Sequence, residues 1–99
     1  MIKVIVEYRG KMGADIQPML LKLRRDVVMF PGFINAENLQ STIDSSTFAI
    51  IQTWEKPEGW WAWQTSKLSQ DCLREAEGLL VEAPKVNMYH VTPTVSWGE

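Results

Sequence analysis

The chain has 99 residues, a net charge of −2 at pH 7 and a hydrophobic fraction of 45%. That length supports one domain, able to bury about two thirds of the surface its unfolded chain exposes, and excludes a second. The small charge excludes broad attraction to nucleic acid, the ordinary apolar fraction excludes disorder, and the lone Cys72 excludes an internal disulfide. No apolar run approaches the about 18 residues of a membrane span, and MIKVIVEYRG lacks the pattern of a signal peptide. A cytoplasmic protein with no membrane or nucleic-acid partner is therefore expected, one domain over residues 1–99 with a tail at 92–99.

Ile2 to Tyr8 reads as a strand, with Ile2, Val4, Val6 and Tyr8 on one face and Lys3, Ile5 and Glu7 on the other. Asp15 is placed to cap a helix running to about Met29, whose stripe is Ile16, Leu20, Leu23, Val27 and Phe30. Its far side carries Lys22, Arg24, Arg25 and Asp26. Pro31 and Gly32 stop that helix and turn the chain into a polar, edge-type strand from Phe33 to about Ser41. Ile43 to Ser46 supplies a turn, and Thr47 to Trp54 returns as a second strand.

The stretch Thr53 to Lys67 holds four of the five tryptophans. Pro57 to Gln64 suits a short helix, marginal alone and held by packing, in which Trp60 and Trp63 share a face and Trp61 is turned away. Leu68 to about Leu80 gives a further helix with Leu68, Cys72, Ala76, Leu79 and Leu80 inward, and Lys85 to Val91 a last strand. The basic Lys22, Arg24 and Arg25 are expected to neighbour Asp71, Glu75 and Glu77. The order matches the ferredoxin-like β-α-β-β-α-β plan, an α+β fold with a four-stranded antiparallel sheet and both helical segments on one side. The other sheet face would carry Ile5, Ala49 and Ile51, which predicts a homodimer packed sheet to sheet.

In IKVIVEYR, the helix closed by FPGF, the hairpin of FINAENLQ and FAIIQTWE, and WWAWQTS before a further helix, the chain resembles the antibiotic biosynthesis monooxygenase (ABM) domains. These belong to the dimeric α+β barrel group. The resemblance covers essentially the whole chain and is one of order and spacing. It implies a dimeric barrel with a ligand pocket between sheet and helices, and cofactor-independent oxygenation of electron-rich aromatics or haem degradation as activities. The haem-degrading branch has an Asn-Arg pair at the end of the first strand, a tryptophan in the short helix and, ten positions on, an iron-ligating histidine. Here Tyr8 precedes Arg9, Trp63 matches the tryptophan, and Leu73 stands where the histidine would be.

Trp60 and Trp63 suit an aromatic wall for a planar substrate, or simply core packing. Tyr8 could hydrogen-bond a substrate oxygen, or be a half-buried tyrosine at a rim. His90, the one histidine and so the residue type suited to acid-base work, is a candidate base or a structural histidine, and Asn35 and Gln52 are further polar candidates. Cys72 reads as a small buried hydrophobe. One histidine and one cysteine give no zinc spacing, and no glycine-rich phosphate cradle occurs. The expectation is a cofactor-independent monooxygenase, with Tyr8 and His90 catalytic and Trp60, Trp63 and Asn35 binding a small aromatic or quinol-like ligand. Two alternatives stay open: a non-enzymatic dimer binding an apolar ligand, and a haem protein with ligands such as His90 or Tyr8. Trp97 is expected to pack on the protein or across the dimer.

Overall fold

Apolar residues at every second position of the opening strand must all face one way. In the computed structural model, which describes residues 1–92, β1 spans Ile2–Arg9 and buries Ile2, Val4, Val6 and Tyr8 while Lys3, Glu7 and Arg9 stay exposed. The expectation for Trp97 lies outside the described residues. After β1 come α1 (Gln17–Val27), β2 (Phe33–Gln40), β3 (Thr47–Trp54), α2 (Pro57–Gln64), α3 (Lys67–Ala76) and β4 (Lys85–His90), with a 3-10 turn at Glu77–Leu79. The strands form one antiparallel sheet in the order β2-β3-β1-β4, so the ferredoxin-like α+β plan is present. Among the described residues no helix is long and apolar enough to cross a membrane.

Helix α1 is shorter than its periodicity suggests. Ile16 occupies the cap, and Asp15 Oδ1 instead accepts from Gln17 N at 3.0 Å. At the other end Met29 N bonds to Asp26 O and Phe30 N to Val27 O, a tightening that precedes Pro31. Gly32, at φ +86°, then makes the turn that a side chain would strain. Asp26 corrects the sequence reading, for it is buried with its carboxylate 3.2 Å from Arg25 Nε. Three residues after Leu23, it sits at the margin of the apolar stripe rather than on the far side.

Helix α3 differs in phase. Ser66 caps it, Ser69, Cys72 and Ala76 face inward, and Leu68 and Leu79 are exposed, contrary to expectation. Four-residue periodicity lapses after Ala76, where the tighter 3-10 turn swings Leu79 out and leaves Leu80 buried. The expected link between helices is present as Lys22 Nζ to Glu75 Oε2 at 3.1 Å, whereas Asp71 pairs within its own helix with Arg74 and Lys67.

The core lies between the sheet and the helices. Trp54 is fully buried, with Phe33 edge-on at 5.5 Å, and Trp63 is met edge-on by Phe30 at 5.1 Å. Trp60 and Trp63 do share the inward face of α2, and Trp61 remains 52% exposed. The opposite sheet face, carrying half-buried Ile5, Ala49 and Ile51, is covered by none of the described helices.

Candidate functional site

Strand parity delivers Tyr8 and Gln52 to the helix side of the sheet, and helical spacing delivers Trp60 and Trp63 to the sheet side of α2. They meet at a chamber of about 110 Å³, closed further by Ser69 and Leu73 of α3 and by Pro84 and Val86. The contact between Trp63 and Phe30 holds one wall. A tryptophan N–H only donates, so the 2.9 Å contact from Trp54 Nε1 identifies its partner as Gln52 Oε1. The Nε2 of Gln52 is thereby the donor this side chain has for the chamber.

Tyr8 is 5% exposed, and burial is the main cause pushing its phenol well above its ordinary pKa, with the neighbouring Cys72 adding to it. Near neutral pH it is an O–H donor and not a base. None of the lining residues is Asp, Glu, His, Lys or Arg. Val4, not Tyr8, pairs with Gln52, so the backbone positions of Tyr8 and Gln52 are about 13 Å apart along the strand direction. Burial also pushes the Cys72 thiol up, and its Sγ lies 3.8 Å from Met19 O, which makes it an inert core group.

Two expected site residues are elsewhere. His90 pairs with Ile2 at the far end of β1, about 20 Å along the strands from Tyr8, and lines a separate cleft with Pro57, Trp61 and Met88. Asn35 pairs with Thr53 after an irregularity in β2, and is exposed on the uncovered face of the sheet. Ser69 is a lining residue that the sequence reading missed. Its signal was a polar side chain three positions before Cys72, in phase with a buried stripe.

No family model and no curated protein matches this sequence. Solved structures do. An antibiotic biosynthesis monooxygenase superposes with TM-score 0.83 at 17% identity, over 94% of this chain and all of the other (100%). The cofactor-independent oxygenase SnoaB from Streptomyces nogalater gives TM-score 0.81 at 10% identity over 95% of each chain. PA3566 from Pseudomonas aeruginosa gives 0.82 at 18% identity, over 93% of this chain and 94% of that one. The chain has the fold of the antibiotic biosynthesis monooxygenases.

Within this ABM fold three of the four positions taken from the haem-degrading pattern converge, since Tyr8, Trp63 and Leu73 all line the chamber. Their chemistry does not fit haem. Leu73 has no lone pair to give iron, and His90 is outside the chamber. Arg9 points to the other sheet face, 3.9 Å from Asp44. The volume of about 110 Å³ is also below the roughly 300–1,000 Å³ of pockets that enclose drug-sized ligands. Among the described residues no group of three or more His, Cys, Asp or Glu side chains could hold a metal ion.

Proposed function

We propose that this protein is a cofactor-independent monooxygenase that holds a small planar aromatic or quinol-like substrate in the chamber between sheet and helices. The observation that carries the reading is the meeting of two buried donors, Tyr8 and Gln52, with the rings of Trp60 and Trp63 in one cavity. The fold shared with a cofactor-independent oxygenase supports it.

The reaction such a site favours begins with ionisation of the substrate. The developing negative charge settles on an oxygen that Tyr8 or Gln52 faces, and preorganised donors there stabilise it more than water does. The carbanion form passes one electron to dioxygen, and the radical and superoxide combine to a hydroperoxide on carbon. Loss of water turns the ring carbon that carried the hydrogen into C=O, so a phenol becomes a quinone, one oxygen atom enters the product and the other leaves as water. With no base among the lining residues, the first proton goes to water, and the donors act by lowering the substrate's own pKa.

That same lack of a base favours a second reading, a non-enzymatic binder of apolar aromatics. Oxygen uptake with a panel of electron-rich phenols and quinols separates the two. One dioxygen consumed per quinone formed is the expected outcome. Saturable binding with no uptake from any ligand rejects the monooxygenase and leaves the binder. In either case the working unit is a homodimer, paired through the uncovered face where Ile5 and Ile51 are adjacent. Lys3, Glu7 and Glu37 around them offer both signs of charge to a second copy.

A further inference from the structure

Leu73 and Pro84 line the chamber, and they also line a second, larger space of about 470 Å³. This outer groove runs between α3 and residues 80–84, past Gln70, Arg74, Leu80 and Val81. The inner chamber is smaller than the roughly 150 Å³ cavity known to admit benzene, so it takes a single ring at most. A larger substrate must therefore extend across the boundary the two spaces share.

One side of that boundary is rigid. Lys11 N bonds to Leu79 O and Val81 N to Arg9 O, both at 2.8 Å, which ties the start of the 80–84 segment to the end of β1. Pro84 has a fixed φ. Leu73 is the adjustable member, a half-buried leucine on α3 packed against the edge of the core. Of the groove's three ionic side chains, Arg74 pairs with Asp71 at 3.3 Å and Glu82 with Lys85 at 3.4 Å, and the third is Glu77. The groove's remaining lining is largely apolar, with Leu80, Val81 and Ala83 beside the shared pair.

We propose that Leu73 is a specificity-determining residue, the partition between an inner site for the reacting ring and an outer site for an uncharged apolar arm of the same molecule. The proposal rests on the reading that the chamber binds the ring of a planar substrate. An arm attached to the ring passes Leu73 and lies along the groove. A wider passage favours armed ligands, and a narrower one excludes them while sparing the bare ring.

The test is calorimetric titration of the intact protein with phenol and with 4-pentylphenol, for wild type, Leu73→Ala, Leu73→Met and Leu73→Phe. Circular dichroism identifies which variants fold. The expected result is an affinity ratio of 4-pentylphenol to phenol raised about tenfold by Leu73→Ala and lowered about tenfold by Leu73→Phe, the worth of one or two buried methylenes. Leu73→Met, nearly equal in volume, keeps the wild-type ratio and shows that the site tolerates substitution. A ratio that stays constant through the folded variants while phenol binds normally overturns the partition alone. If phenol binds neither wild type nor any variant, the chamber reading fails and the partition with it.

Discussion

Tyr8 illustrates how a single residue acquires a role from its surroundings. On an exposed surface it would be an unremarkable phenol, but at the inward end of β1 it is desolvated and held as a neutral donor. Tyr8→Phe removes one neutral hydrogen bond, worth about 0.5–1.5 kcal/mol, and is expected to weaken phenol binding by roughly three- to tenfold. Because Tyr8 keeps its proton, wild-type binding between pH 6 and 9 should follow the ligand's own ionisation, a dependence that titration at several pH values checks. Asp44 is the opposite case. Hydrogen bonds from the Ser46 hydroxyl and backbone N–H, and then from Thr47, hold its carboxyl below the usual carboxylate range. The folded state therefore binds this proton less readily than the unfolded chain. The stability gained is complete above the unfolded pKa of about 4 and is lost as pH falls through the lower folded value. Asp44→Ala should melt earlier than wild type at pH 7, with the gap closing towards pH 3; a gap that widens on acidification would contradict this assignment.

At the scale of elements, α2 depends on its neighbours more than on its own sequence, as eight residues with three tryptophans and a glycine must. Gly59 shows the dependence most directly. In a free helix, alanine would be better than glycine by about 1 kcal/mol. Here an added Cβ would stand 2.8 Å from Trp54 Cε3 and 3.1 Å from Pro31 O, against a buried ring and a turn backbone that cannot both yield. Overpacking of this kind costs about 1–3 kcal/mol, so Gly59→Ala is expected to lower the melting temperature, by about 4–8 °C for each net kcal/mol. An unchanged or raised melting temperature rejects the close packing of α2 on β3. Helix α3 teaches a related point. Its apolar spacing allowed Leu68 and Leu79 to face inward, and the Ser66 cap with the 3-10 turn set a different phase.

For the whole molecule, the decisive feature is the sheet face that the described helices leave uncovered. Ile51 lies between Ile5 on β1 and Glu37 on β2, near the middle of that face. If two copies meet there, Ile51→Glu buries a charge opposite its own symmetry mate and should convert a dimer to a monomer in light scattering. A wild-type protein that scatters as a monomer at micromolar concentration removes the sheet-to-sheet pairing outright.

The sequence by itself determined the type and order of the strands and helices, the inward face of β1, β3 and α2, and the position of the turn at Gly32. These rest on periods of 2 and 3.6 and on backbone restrictions, which are local properties of neighbouring residues. Faces are legible in this way, and distances along a face are not. His90 and Tyr8 share the helix side of the sheet, yet the register that sets Ile2 against His90 parts them by nearly the length of β1. The same local logic could not place Ser69 and Leu73 beside Tyr8 and Trp63, because their meeting depends on how α2 and α3 lie over the sheet. Only the tertiary structure decided which polar groups share a chamber, since that is a matter of register and packing between segments far apart in the chain.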